Sequence, residues 1–244
     1  MSLFIGLMSG TSLDGVDGVL AEFGPGAGPD GIRVLGHRQA SLPEPLRGTL
    51  LALNQSGSDE LHRAALAANA LVRVYADLVS GLLRQCRTQP SQVRAIGAHG
   101  QTVRHRPQEF DGTGYTLQLM NGALLAELCG IDVVCDLRSR DLAAGGQGAP
   151  LVPALHAALF AAPGQDVAVL NLGGIGNLTL LPAQGTVRGF DCGPGNALLD
   201  LWCQRHRGQA YDTDGDWAAS GQVDVRLLNT LLAEPFLLRP PPKS

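Results

Sequence analysis

Three places in the chain hold residue types that can do chemistry. The first is Ser9-Gly10-Thr11-Ser12-Leu13-Asp14-Gly15-Val16-Asp17. Its hydroxyls and amides suit an anion, and Gly10 and Gly15 permit close backbone approach. Asp14 and Asp17 carry the wrong charge for a bare phosphate, but the right one for a magnesium ion or a sugar hydroxyl. Taken alone, this spacing favours an ordinary polar hairpin with glycine at the turn. The second place is His99-Gly100-Gln101-Thr102, directly after the apolar run Val93 to Ala98. Polar residues just past the carboxyl end of a buried strand lie where α/β sheets take their ligands. A lone histidine there is more often structural, so Gln101 and Thr102 strengthen the reading. The third is Asn171-Leu172-Gly173-Gly174-Ile175-Gly176-Asn177, followed by Asp191-Cys192-Gly193-Pro194-Gly195-Asn196. Between the second and third lies Asp136 to Pro150, with two aspartates, two arginines and a glycine-rich exit. Long ordered loops are often functional, although Asp–Arg pairs within it would also hold a plain surface loop.

Elements must position these residues. Leu3 to Met8 and Val16 to Phe23 read as two strands flanking the first turn, and Ile32 to Ala40 as a third completing a meander. A short helix is expected over Leu46 to Leu53. The spacing of Leu61, Ala65, Ala68, Leu71, Val72, Tyr75, Leu78, Val79 and Leu82 predicts one long helix ending near Arg87, its stripe facing the core. Val93 to Ala98, Tyr115 to Leu119 and Ile131 to Cys135 read as strands, with a helix capped by Asn121 between the last two. Arg104, His105 and Arg106 fit a solvated surface turn. Asp166 to Leu172, Ile175 to Leu181 and Thr186 to Phe190 read as strands, with Asp191 at the end of the last. Helices are expected over Leu151 to Ala161, Ala197 to Arg207 and Ala218 to Leu232. Tyr211 to Asp216 resembles a calcium loop but lacks the acidic residue an EF-hand requires. Both halves of the chain run strand, small-residue turn, strand, strand, helix, which suggests a duplicated α/β fold with a cleft between its halves.

Composition narrows the function classes. The chain has 244 residues, a net charge of -4 and no basic tract, which argues against nucleic acid or an acidic membrane surface. Aromatic residues make up only 5%, too few for a base-stacking surface. The five cysteines show no CxxC spacing and are expected as reduced core thiols. No signal peptide is expected at the start, no run reaches the length of a membrane span, and a cytoplasmic location is expected.

Taken together, the stretches Gly6 to Asp17, Gly97 to Val103, Asp141 to Pro150, Asn171 to Thr179 and Asp191 to Asn196 resemble the anhydro-N-acetylmuramic acid kinase family. That family lies within the actin-like ATPase and sugar kinase superfamily. The resemblance implies an actin-like (ribonuclease H-like) α/β fold of two related lobes around a cleft. The first lobe would span 1–163, with an inserted sugar-site loop at 136–150. The second would span 164–244 and be incomplete, its adenosine site lying beyond Ser244 and its exposed apolar surface open to self-association. The implied activity is hydrolytic opening of 1,6-anhydro-N-acetylmuramic acid and ATP-dependent phosphorylation of O6, in peptidoglycan recycling. The alternatives are another sugar or carboxylate phosphotransferase of the superfamily, or a non-catalytic sugar-binding fragment.

By position, the resemblance makes Asp191 the catalytic base. Gly10, Thr11, Ser12, Leu13, Asp14, Gly15, Val16 and Asp17 become one phosphate loop, with Gly173 and Gly174 the other. Ser9, Asp14, His99, Gln101, Arg138 and Gln147 would face the sugar, with Arg138 able to pair with its lactyl carboxylate. ATP and Mg2+ are the expected cofactors, with Asp14 or Asp17 near the metal. A homodimer is the expected assembly. Cys192 and Gly176 stand where Thr and Ala are expected in relatives.

Overall fold

The computed structural model describes residues 1–13, 15–25 and 31–243. Asp14, named above for phosphate, sugar and metal, lies outside the described residues, as do 26–30 between the second and third strands. The chain forms two compact units, Met1–Gly148 and Ala149–Ser244.

The first unit is built on a five-stranded mixed sheet in the order β3-β2-β1-β4-β7. Its strands are β1 (Ser2–Ser9), β2 (Gly15–Phe23), β3 (Ile32–Ser41), β4 (Val93–Ala98) and β7 (Val133–Val134). β1, β2 and β3 form the expected antiparallel meander, while β4 lies parallel to β1 and β7 parallel to β4. Helix α1 (Glu44–Ala52) precedes the 26-residue α2 (Glu60–Gln85). α2 buries Leu71, Val72, Tyr75, Leu78, Val79 and Leu82 against Ile5, Leu7, Val16, Leu20 and Ile96. Each aliphatic side chain so buried contributes roughly 1.5–3 kcal/mol. By length and hydropathy α2 could cross a membrane, but 56% of its most apolar window is buried inside the unit; it is a core helix, amphipathic because one face meets a sheet.

β5 (Gln101–Pro107) and β6 (Gly114–Leu119) form an antiparallel hairpin. The expected surface turn at Arg104, His105 and Arg106 is therefore strand. Arg104 reaches inward, its Nη2 donating to Glu60 Oε1 at 2.7 Å and its Nη1 to the Leu53 carbonyl. The carbonyls at the end of α1 need donors, as does the Glu60 carboxylate at the start of α2, and one guanidinium supplies both. Helix α3 (Gly122–Cys129) begins where Asn121 Oδ1 accepts the Leu124 amide at 3.0 Å. The segment expected as a loop over 136–150 contains a short helix, α4 (Ser139–Ala143), started by Asp136, which accepts from the Ser139 amide and hydroxyl.

The second unit holds a three-stranded antiparallel sheet, β10-β9-β8. Its strands are β8 (Val167–Leu172), β9 (Ile175–Leu181) and β10 (Arg188–Pro194). Helix α5 (Pro153–Phe160) packs on β8 and β9. Pro150 and Pro153 sit where a Cβ on Gly189 would be. This packing is why the compact unit starts at Ala149, whereas the lobe boundary expected from the sequence follows residue 163. After β10 come α6 (Asn196–Arg207), α7 (Asp216–Ala219), α8 (Val225–Leu232) and α9 (Pro235–Leu238). The single helix expected over Ala218 to Leu232 is two, α7 and α8, the latter capped by Asp224 through the Arg226 and Leu227 amides. Leu198, Leu199, Leu201, Trp202, Leu227 and Leu231 on α6 and α8 are exposed.

Candidate functional site

In the first unit, two turns leave the carboxyl ends of adjacent parallel strands. Leu7 of β1 lies opposite Ala98 of β4, and the His99 amide donates to the Leu7 carbonyl at 3.0 Å. Past β1 the chain turns through Gly10, Thr11 and Ser12, with the Leu13 amide donating to Gly10 O at 3.3 Å. Thr11 and Ser12 are exposed, and Leu13 anchors the turn by burying its side chain at a left-handed φ of 57°. Gly15 and Val16 open β2 and are buried. Asp17 is half-buried, with its Oδ1 2.9 Å from His37 Nε2.

Past β4, His99 is half-buried and fixed on both ring nitrogens. Nδ1 donates to Gly100 O at 2.8 Å, and Nε2 accepts from Arg138 Nε at 2.9 Å. Burial, and then the Arg138 guanidinium, hold the His99 pKa below the ordinary histidine value. The ring is therefore neutral, with its tautomer set by these two partners. Arg138 also donates through Nη1 to Gly148 O at 2.5 Å. Asp141 closes the same loop: its Oδ2 accepts the Gly148 amide at 2.7 Å. Gln147 is half-buried in that turn. The loop thus holds Arg138 beside His99, and the structure brings these two expected residues together.

Ser9 and Gln101 are each only 1% exposed, and the Ser9 hydroxyl donates to Gln101 Oε1. Beneath them lies Tyr75 of α2, 0% exposed; its hydroxyl lies close to Ser9 and the Gly100 backbone, without a hydrogen bond of good geometry to either. The sequence placed Tyr75 in an apolar stripe and gave it no polar role. The available signal was the residue type, since a buried tyrosine hydroxyl ordinarily finds a partner.

In the second unit, Asn171, Asn177 and Asp191 occupy one cross-strand row: Asn177 of β9 lies opposite both Asn171 of β8 and Asp191 of β10. Asp191 was expected at a strand end. It lies within β10, at a register shift between Asp191 and Gly193. A bulge of this kind bends the strand and re-aims a side chain. The Asp191 amide donates to Lys243 O at 2.9 Å. The neighbouring Cys192 thiol has its pKa raised, first by burial and also by Asp191, against a lowering by Lys243. Gly173 and Gly174 turn their carbonyls onto the start of α6. Gly173 O accepts from the Asn196 amide at 2.8 Å, and Gly174 O from the Gly195 amide at 2.9 Å. A side chain at Gly195 would meet Gly173 O at 2.4 Å, so only glycine lets this turn dock. The Asn177 Oδ1 is buried and has no hydrogen-bond partner.

No three His, Cys, Asp or Glu side chains converge among the described residues. Of the two aspartates expected near a metal, Asp17 is engaged by His37 and Asp14 lies outside the described residues.

Comparison with known proteins agrees with the motifs. Residues 2–244 match the family model described as anhydro-N-acetylmuramic acid kinase. Curated relatives of that name include one from Variovorax paradoxus (strain S110), 64% identical over 99% of this chain and 65% of its own length. Another is from Cupriavidus metallidurans, 61% identical over 99% of this chain and 63% of its own. A third is from Bordetella petrii, 65% identical over 99% of this chain and 62% of its own. The chain therefore spans a little under two thirds of the length of these relatives. A solved reductive activator for a corrinoid, iron-sulfur protein aligns over 80% of this chain and 30% of its own, at a TM-score of 0.42 and 12% identity, a likeness too slight to carry an argument.

Proposed function

The chain belongs to the anhydro-N-acetylmuramic acid kinase family, and from that premise we propose that it acts in opening 1,6-anhydro-N-acetylmuramic acid with water and phosphorylating the freed O6 from ATP. The products are N-acetylmuramic acid 6-phosphate and ADP, and the setting is peptidoglycan recycling. The observation that carries this is the family match across residues 2–244.

In the proposed step Asp191 removes a proton from water, whose oxygen attacks the anomeric carbon. The C1–O6 bond breaks with its electron pair moving to O6, which then attacks the γ-phosphorus of ATP in line, with ADP leaving. Phosphoryl transfer of this kind depends on positioning and charge neutralisation. The exposed Thr11 and Ser12, with the backbone of the first turn, are assigned to the ATP phosphates, as are Gly173 and Gly174. His99, Arg138 and Gln147 are assigned to the sugar. A neutral His99 suits that task, because it presents no charge for a hydroxylated ligand to desolvate.

The strand order β3-β2-β1-β4-β7, three antiparallel strands followed by parallel ones, supports an actin-like reading of the first unit. The β8-β9-β10-α6 succession supports a second copy of the same theme. ADP release with 1,6-anhydro-N-acetylmuramic acid, measured against glucose and acetate, tests the activity. Asp191→Asn is expected to lower turnover by at least about 10²-fold, the low end of what a general base contributes, with sugar affinity close to that of the parent. Turnover unchanged in Asp191→Asn removes Asp191 from the base role.

A further inference from the structure

We infer that Ser9 and Gln101 form a positioning pair that couples the Gly10–Leu13 turn to the His99–Arg138 side of the first unit, so that nucleotide and sugar bind with positive cooperativity. The inference rests on the function proposed above, which assigns ATP to the first turn and the sugar to the second.

Burial decides against direct contact. Both side chains are 1% exposed. The Ser9 hydroxyl proton is committed to Gln101 Oε1, and Gln101 Nε2 donates to Thr102 O at 3.3 Å. Neither group is left facing solvent. Their place in the chain gives them a different use. Ser9 ends β1 and immediately precedes Gly10, while Gln101 opens β5 two residues after His99. The backbone ladder between β1 and β4 stops at the bond from the His99 amide to Leu7 O. The Ser9–Gln101 bond is one further rung, made by side chains, joining positions 92 residues apart exactly where both turns depart from the sheet.

A hydrogen bond in this place cannot be replaced by water. Pulling either turn away leaves a buried hydroxyl and a buried amide oxygen unpaired, and each unpaired group carries a desolvation cost. The Tyr75 hydroxyl lies close to Ser9 and the Gly100 backbone, but it stands on α2 and ties neither turn to the other. The two turns therefore hold their docked arrangement together or lose it together. A ligand that stabilises one arrangement lowers the cost of binding at the other, and the effect is reciprocal.

The test titrates a non-hydrolysable ATP analogue into the full chain, with and without saturating 1,6-anhydro-N-acetylmuramic acid. In the parent the sugar is expected to tighten analogue binding by at least about fivefold, the low end of ordinary coupling. In Ser9→Ala this ratio is expected to fall to within about twofold of unity. General damage to the fold weakens both arms alike and does not move the ratio. Gln101→Met is the second variant, should Ser9→Ala not fold, and is expected to lose the ratio in the same way. Gln101→Glu keeps an acceptor oxygen facing Ser9 and is expected to restore it. A parent-like ratio in both Ser9→Ala and Gln101→Met overturns the inference, as does complete loss of sugar binding in Ser9→Ala with the analogue still bound, since Ser9 would then touch the sugar. A parent chain that binds both ligands without coupling overturns the inference and leaves the proposed function standing. One that binds neither overturns both.

Discussion

Gly100→Ala is the most direct probe of the turn that carries His99. Gly100 has φ +75°, a left-handed conformation that an L side chain adopts at a cost of about 1–2 kcal/mol. Space adds to this. An added Cβ would lie 2.6 Å from Leu119 O and 3.1 Å from Met120 Cβ. Leu119 is the register partner of Gln101 in the β5–β6 hairpin, so its carbonyl cannot yield without disturbing that ladder. Overpacking against fixed groups costs about 1–3 kcal/mol, which brings the expected loss to roughly 2–5 kcal/mol. For a unit of this size that corresponds to a fall in Tm of about 4–20 °C. Gly130→Ala is the control: its φ is +64°, yet nothing lies within 4 Å of the added Cβ. It is expected to lose only the conformational part, about 1–2 kcal/mol. Urea denaturation followed by circular dichroism gives both losses on one scale. Equal losses in the two variants would refute the argument that the Leu119 carbonyl closes this position.

Three further expectations concern buried polar groups. Tyr75→Phe removes a buried hydroxyl that has no partner, so its stability should equal or exceed that of the parent, by up to about 1–2 kcal/mol; a loss above 1 kcal/mol in a thermal melt would show that the hydroxyl is bonded. Arg104→Met strips a donor from the Leu53 carbonyl and Glu60 and should cost about 1–3 kcal/mol. Glu60→Gln, at a side chain about a third exposed, should cost less than about 1 kcal/mol, and the reverse order in urea midpoints would contradict the placement of Arg104. For His99, the folded pKa is lowered by burial and by Arg138, so below the ordinary value of 6.5 the unfolded chain takes up a proton that the folded chain refuses. The His99 contribution is therefore complete above pH 6.5 and is lost as pH falls through the window below it, with a slope of at most about 1.4 kcal/mol per pH unit. His99→Gln should flatten the fall in Tm between pH 7 and pH 5, and an unchanged slope would remove His99 from this role.

Much of the frame is local and was therefore legible in the sequence. The meander β1–β3, the long α2, the Asn121 cap and the second hairpin follow from apolar spacing and turn residues, which act over a few positions. The glycine turns and Asp191 were found as motifs for the same reason. What the linear pattern could not give depends on partners far away in the chain. Arg104, between Val103 and His105, looks solvated until the Leu53 carbonyl at the end of α1 and the Glu60 carboxylate are seen to take its donors. Asp191 looks like the end of a strand until its pairing with Asn177 carries β10 on to Pro194. Ser9 and Gln101, read from the sequence as facing the sugar, are buried against each other where β1 packs parallel on β4. Residue type and spacing set which elements form and which side chains can react. Only tertiary packing decided which polar groups meet solvent and which must satisfy one another, because the cost of an unpaired buried group is fixed by neighbours that sequence order does not bring together.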